Sequence, residues 1–376
     1  MKKVLLTATV QSHICQFHKP LVKVLHELGH EVHVAARNNL AEKNGLMLDF
    51  VDKVYDIPFA RVPWNRSNIY AYKLLKEIVQ KEEYDIIHCN TPVGGILTRL
   101  AAIKERKKGC KILYTAHGFH FYKGAPVKNW LIYYPIEKLF SRVTDVLITI
   151  NKEDYELAKS KFKTHVEYIH GVGVDADRYK PVSDNDKKLL RKKMGYEDFE
   201  NIILCIGELL PNKNQIMAIY MLKEVLKSCP KTILLIAGNG PEKENLENQV
   251  KNLVLCENVK FLGYCTNLEK YQEIADVLVA CSKREGLGLN IIEALLSGNP
   301  VVATRNRGHI ELIHDYKNGY LVEQDNSHEM ANRVTEILMD KYRLHSLRKE
   351  ARKSGFVYAY EIVEQELEKI YINSWR

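Results

Sequence analysis

Residues 280–311 read ACSKREGLGLNIIEALLSGNPVVATRNRGHIE, and the reading of this stretch decides the fold. An apolar strand, Val277 to Ala280, ends here. The chain breaks at Gly286 and Gly288, and a helix is expected to open with Asn290 and Glu293 in its first turn. A strand, a glycine loop and a helix N-terminus together suit a phosphate group. The loop amides have no intrahelical acceptor, the helix dipole is positive at that end, and glycine lets a ligand approach the backbone. Two carboxylates, Glu285 and Glu293, bracket the loop. Beside a phosphate they would repel it, so they are better placed to accept hydrogen bonds from neutral hydroxyls of a sugar or ribose. A nucleotide-sugar site satisfies both halves of the pattern. The alternative is a buried βα turn whose acidic residue simply suits the helix dipole, and the stretch alone leaves both readings open.

Working outward, the 376 residues suffice for two domains of ordinary size. The 46% hydrophobic and 27% charged fractions are those of a globular protein, and no apolar run approaches the roughly 20 residues that span a bilayer. MKKVLLTATVQSHICQFH starts like a signal peptide. Its apolar run is short and passes into Gln11, Ser12 and His13, so it reads as a first buried strand. The eight cysteines are scattered, several inside apolar strands, which predicts reduced core thiols, a cytoplasmic setting, no disulfide framework and no structural zinc. The net charge of +8 has no nucleic-acid module to serve. Its surplus leans towards the first half, in HKPLVK, RVPWNR, KERKKGCK and FYKGAPVK, as an anionic membrane surface would attract. On charge alone, a merely solvated basic face is the slightly better explanation.

Apolar strand-like runs alternate with amphipathic ones throughout. KVLLTATV, EVHVAA, DIIHCN, KILYTAH, VLITIN and VEYIH are expected strands of the first half, with a helix over 17–29 after the first. Residues 181–201 turn polar, and the pattern then restarts with NIILCIGEL, TILLIAG, VKFLG, DVLVACS, PVVATR and GYLVE. This predicts an α/β protein of two doubly wound, Rossmann-like domains facing one another across a cleft, with parallel sheets covered on both faces. The expected boundaries are 1–172 for an acceptor-binding domain and 173–200 for a linker and lead-in helix. A nucleotide-sugar domain follows over 201–349, then a C-terminal helix over 350–376 that packs back across the junction. Ligands of such sheets bind outside the carboxyl ends of the strands. In the first half that rule selects Thr9 to His18, Asn90-Thr91-Pro92 and His117-Gly118. In the second it selects Gly207 to Lys213, Gly238 to Pro241, Gly263-Tyr264, Glu285 to Glu293 and Arg305 to Glu311.

These residues, in this order, resemble the retaining glycosyltransferases of family 4, which have the GT-B fold. The resemblance runs over nearly the whole chain. It rests on Glu285 and Glu293 at a Glu-x7-Glu spacing, on GELLPNKN with Lys213, on LLIAGNGP, on HGVGVD in the interdomain link, and on TAHGF. The sequences around ATVQSHICQFHKP and TAHGFHFYKGAP are similar to enzymes of capsule and exopolysaccharide assembly. The resemblance implies donor binding by Gly207, Lys213, Gly238, Gly240, Tyr264, Arg284, Gly286, Leu287, Gly288, Leu289 and Glu293. Lys213 would neutralise the donor diphosphate, with loop amides assisting, and Glu293 would hold the ribose. His117 and Glu285 would be the catalytic pair that orients the sugar at the reacting carbon. The acceptor would lie against Ser12, His13, His18, Lys19, Gly118, Phe119 and His120. One departure stands out: the arginine usual five positions before the lysine is Glu208 here, so Arg284, Arg305 or Arg307 would have to supply that charge.

Several decoys read differently in context. Asp175-Ala176-Asp177 looks like a metal-binding pair but follows the interdomain link. GNGPEK opens like a dinucleotide fingerprint, yet Lys243 replaces the third glycine. His13, His18, His117 and His120 show no metal-ligand spacing and no tetrad, so they read as a polar pocket lining and no metal is assigned. His88 reads as a satisfied core histidine. NWLIYYPIEKLF, residues 129–140, reads as a core helix by default or as a lipid-facing one.

The implied function is transfer of a sugar, an N-acetylhexosamine among the candidates, from a UDP-sugar with retention of configuration. No cofactor or metal is assigned. The acceptor would be a polyisoprenyl-diphosphate-linked saccharide or a polysaccharide, in bacterial capsule or exopolysaccharide synthesis, by an enzyme held peripherally at the inner face of the membrane. Two alternatives remain open at this point: a UDP-sugar 2-epimerase on the same fold, and a non-catalytic glycosyltransferase-like subunit.

Overall fold

Runs of β-branched residues make the strands, and their order in two sheets positions everything that follows. The computed structural model describes residues 1–42 and 46–375. The first sheet contains β1 (Lys3–Val10), β2 (Glu31–Arg37), β3 (Lys53–Asp56), β4 (Ile86–Asn90), β5 (Lys111–Ala116), β6 (Val146–Thr149) and β7 (His165–Tyr168). All pairs are parallel, in the order β3-β2-β1-β4-β5-β6-β7, and Leu5 sits between His33 and Ile87. The second contains β8 (Asn201–Ile206), β9 (Thr232–Ala237), β10 (Val259–Gly263), β11 (Val277–Ala280), β12 (Val301–Thr304) and β13 (Gly319–Val322), in the order β10-β9-β8-β11-β12-β13. Central strands such as TILLIA are buried along their whole length, because helices cover both faces. Strand order reverses between β1 and β4 and again between β8 and β11. Each reversal opens a crevice outside the carboxyl ends of those strands.

The chain forms two units, Met1–Gly173 with Tyr360 onward, and Val174–Ala359. The segment read as a linker is largely part of the second unit. Ser183 caps the helix Asp184–Lys193 by accepting from the Asp186 amide at 3.1 Å. Buried Asp276 then receives Lys187 at 3.0 Å, Arg191 at 2.6 Å and Arg348 at 3.1 Å. The tail expected as one helix over 350–376 is two. Lys341–Gly355 packs in the second unit, where Gly355 lies against Leu295 and Leu296. After a short 3-10 turn, Tyr360–Ser374 returns to the first unit, and Tyr371 reaches His88 at 2.7 Å.

Other differences have local causes. The helix expected over 17–29 is Lys19–Glu27, with Pro20 in its opening turn, and the strand-end segment before it forms a separate short helix, Gln11–Phe17. β3 escapes an apolar pattern because KVYD is an edge strand that is mostly exposed. Among the described residues the largest fully buried side chain is Arg99, 1% exposed. Its guanidinium meets Glu137 at 3.0 Å and lies 4.1 Å over the Tyr114 ring, tying the helix Pro92–Ala101 to the helix Val127–Phe140. All eight cysteines are free thiols, six of them buried.

Candidate active site

In the second unit the site grows from the carboxyl ends of β8 and β11. The helix Leu289–Leu296 buries Ile291, Ile292, Leu295 and Leu296 in the core beneath β11, which directs its N-terminus to that edge. Gly288 is its N-cap and offers no side chain, so the first amides stay open to a ligand. Glu293 is the fifth helical residue rather than part of the first turn. Asn290 ties the helix back to β8 by donating to the Ile206 carbonyl at 3.0 Å. Glu293 lies partly buried; desolvation raises its carboxyl to about 7 against the opposing hydrogen bond from Tyr179 and charge of Arg178. Tyr179, in the segment before the lead-in helix, is a partner that no spacing argument identified.

Lys213 and Glu285 converge here as an ion pair, 2.5 Å between Nζ and Oε1. The loop carrying Lys213 is held by Asn212, which donates to the Arg284 carbonyl at 2.9 Å and accepts from the Lys283 amide at 2.8 Å. Glu285 is braced from behind. A Cβ on Gly308 would stand 2.9 Å from that of Glu285, so only glycine permits this approach. Asn306 caps the helix Arg307–Leu312 by accepting from the amides of Gly308 and His309. His309 is buried and kept neutral, its pKa lowered to about 4 by desolvation. Asn306, Gly308 and His309 fall within the strand-end segment Arg305 to Glu311 that the sequence selected, but no role was given to them individually; an asparagine two residues before a glycine was the available signal.

Other donor-site residues find structural explanations. A Cβ on Gly238 would lie 1.9 Å from the Gly207 carbonyl oxygen, and one on Gly240 would lie 2.3 Å from that of Leu209. The loops after β8 and β9 therefore pack backbone on backbone, which by itself requires glycine at 238 and 240. Tyr264 follows β10 and is 45% exposed. Of the arginines considered in place of Glu208, Arg305 is committed to Glu323 at 3.1 Å, whereas Arg284 is exposed. Asp175 accepts from the amides of Asp177 and Arg178, so it stabilises a turn.

In the first unit the ends of β1, β4 and β5 bring three histidines together. His117 follows β5, while His13 and His18 belong to the chain after β1. His13 Nε2 lies 3.2 Å from His117 Nε2, which also lies 3.1 Å from Asn90 Oδ1. One ring nitrogen from each of His13, His18 and His117 falls within 4.8 Å of the others. Spacing along the chain concealed this cluster, because its members come from different strand ends. Burial depresses all three, His117 to about 4, so each is neutral at physiological pH. His88 is satisfied by Tyr371 and by Thr115 at 2.6 Å.

The remaining residues assigned to the acceptor are dispersed. Ser12 is buried, its amide and hydroxyl both engaged by Asn39. Phe119 is core, stacked on Phe121 at 4.7 Å, with its amide held by Asp154. Gly118, at φ 119°, makes the turn between them and the histidine cluster. His120 stacks on Tyr133 at 4.6 Å. Lys19 is exposed over Phe50 and lines a separate pocket of about 480 Å3.

The chain is similar to known proteins. Glycosyl transferases group 1 matches residues 186–354, and Glycosyltransferase Family 4 matches residues 20–178. A Bacillus subtilis (strain 168) protein named as a glycosyltransferase, EpsD, is 41% identical over 98% of this chain and 96% of its own. The chain belongs to glycosyltransferase family 4. This family 4 protein is also 26% identical to an Escherichia coli UDP-Gal:alpha-D-GlcNAc-diphosphoundecaprenol alpha-1,3-galactosyltransferase, over 89% of this chain and 88% of that one. Anabaena HepE, crystallised with UDP, superposes with a TM-score of 0.80 at 21% identity over 99% of this chain and all of that one. That likeness establishes the fold, GT-B, for this glycosyltransferase.

Proposed function

We propose that this glycosyltransferase transfers a sugar from a UDP-sugar, with retention of configuration, to a polyisoprenyl-diphosphate-linked saccharide in exopolysaccharide assembly. The observation that carries the reading is the grouping of Lys213, Glu285, the open amides at Gly288–Leu289 and the high-pKa Glu293 around one strand edge. A cation and open amides suit a diphosphate, and two carboxylates suit hydroxyls. The names of EpsD and of the diphosphoundecaprenol galactosyltransferase support the acceptor class, and UDP in HepE supports the base.

The chemistry follows from charge. The anomeric carbon passes through an oxocarbenium-like state while negative charge gathers on the departing diphosphate. Lys213 and the helix N-terminus meet that charge, the largest single contribution expected of such a site. On donor binding Lys213 exchanges Glu285 for the diphosphate, which frees Glu285 for the sugar ring. The acceptor oxygen bonds on the face the diphosphate leaves, and its proton passes to a donor phosphate oxygen. His117, neutral across this pH range, orients the sugar as a hydrogen-bonding group. No step in this account calls on a metal.

The acceptor places the enzyme against a membrane. No described helix is long and apolar enough to cross one. The helix Val127–Phe140 instead turns Trp130 and Tyr134 onto the Phe121–Phe162 core and exposes Val127, Leu131, Ile132 and Leu139. The aromatic side chains of this helix thus face inward, and aliphatic ones face out. With exposed Lys123, Lys128 and Lys138 flanking them, this face suits peripheral docking on anionic lipid. A screen of nucleotide sugars for UDP release, with and without undecaprenyl-diphosphate-linked acceptors, tests the function. Acceptor-dependent UDP release is expected. Interconversion of a UDP-sugar alone, or inertness throughout, would overturn it.

A further inference from the structure

His117 Nε2 has one hydrogen-bonding position and two neighbours. Asn90 donates from Nδ2 to the Thr7 carbonyl, so its Oδ1 is turned to His117 and asks for the Nε2 proton. His13 Nε2 then stands 3.2 Å away, facing the same atom, and a single proton cannot serve both. A third ring, His18, completes the group. It is buried, and its Nε2 has no hydrogen-bond partner among the described residues. A buried polar nitrogen without a partner costs free energy and calls for a ligand.

The spacing approaches that around one bound ion. Nitrogens bound tetrahedrally at about 2.0–2.1 Å stand roughly 3.4 Å from each other, and the ring centroids about 5 Å. Here the close nitrogen pair is at 3.2 Å, and the three centroid separations are 4.5, 5.4 and 5.5 Å. The three rings are held in their neutral form, which is the ligand form. Three imidazoles are a donor set for Zn2+ and its neighbours, and among the described residues the cluster includes no carboxylate to favour Mg2+.

We propose that His13, His18 and His117 bind a divalent transition-metal ion of the Zn2+ class, and that its occupancy inhibits transfer by withdrawing His117 from the sugar. The binding half stands on these distances alone; the inhibitory half rests on the function proposed above. One ring nitrogen from each of the three lies within 4.8 Å of the others, so the wider pairs must close towards the 3.2 Å of the His13–His117 pair for all three to bind.

The test uses the untagged, full-length protein stripped with EDTA, and the metals alone as probes. Co2+ should give the visible absorption of a nitrogen-ligated tetrahedral ion at one per chain, displaced by Zn2+. His13→Gln and His18→Ala should each weaken Zn2+ by more than the roughly 10–100-fold that loss of an outer-shell partner costs a metal site. His18 is buried, so circular dichroism confirms its folding; His13, partly exposed, supplies the second variant. Zn2+ should depress sugar transfer and EDTA should restore it. Absence of Co2+ binding in a chain that transfers sugar would overturn the site and leave the function standing. So would a thiolate charge-transfer band with affinity unchanged in both variants, since Cys256 is exposed. Stoichiometric Zn2+ binding with undiminished transfer would overturn the inhibition and, with it, the place of His117 at the sugar.

Discussion

Lys213 Nζ and Glu285 Oε1 lie 2.5 Å apart, so the cation proposed for the diphosphate already has an anionic partner. The pair keeps two charges paired at a half-buried edge until a ligand exchanges one of them. Lys213→Met should therefore cut kcat/KM by about a hundredfold or more, in the range for losing one group that stabilises transition-state charge. It should also weaken UDP binding, read by calorimetry. Unchanged steady-state rates would remove Lys213 from the leaving-group site.

Glu293 gives opposite signs in stability and binding. Its carboxyl is raised from 4.5 to about 7, so ionising it opposes folding. The penalty is absent below about pH 4.5, grows between the two values and is complete above about 7. Glu293→Gln should stabilise the ligand-free protein at pH 8 by about 1–3 kcal/mol, with no gain at pH 4.5. The same change should weaken UDP binding, since the amide is a poorer acceptor for ribose hydroxyls. Wild-type affinity should fall relative to the variant as pH drops through about 7. Denaturant titrations and calorimetry at both pH values check this, and a variant less stable at pH 8 contradicts it.

Arg99 and Glu137 form a buried charge pair, and breaking it from one side leaves an uncompensated charge. Arg99→Ala should cost about 3–5 kcal/mol in urea unfolding. Arg99→Met with Glu137→Gln should cost less than Arg99→Ala alone, because neither partner then stays charged. A larger loss in the double variant would show that ring packing on Tyr114, rather than charge, dominates.

Binding to vesicles should depend on both lipid charge and the aliphatic face. Co-sedimentation with anionic vesicles should exceed that with neutral ones and fall at high salt. Leu131→Glu with Ile132→Glu should abolish it without lowering UDP affinity. Salt-independent recovery in the supernatant with both lipids would favour a soluble acceptor.

Most of the strands were legible because a parallel strand covered on both faces reads as an unbroken apolar run, as NIILCIG and TILLIAG do. β3 was not, since an edge strand buries little and KVYD carries no run. The Glu285–Glu293 spacing and Lys213 were legible as a pattern, but their pairing was not: Lys213 and Glu285 are 72 residues apart, and only the adjacency of β8 and β11 joins them. Phe119 and Ser12, assigned to the acceptor, are buried and engaged within the fold, because proximity to a strand end does not reveal which way a side chain turns.

What the amino-acid order determined alone is the alternation of strands and helices, the glycine loop before residue 289 and the supply of carboxylates, lysine and histidines. These are local, set by periodicity and by backbone freedom. Tertiary structure alone decided which of them meet. It placed His13, His18 and His117 around one point, raised Glu293 by burying it, and turned Trp130 inward while leaving Leu131 outside. Each is a consequence of desolvation or of contact between distant segments, and neither is written in the spacing of residues along a chain.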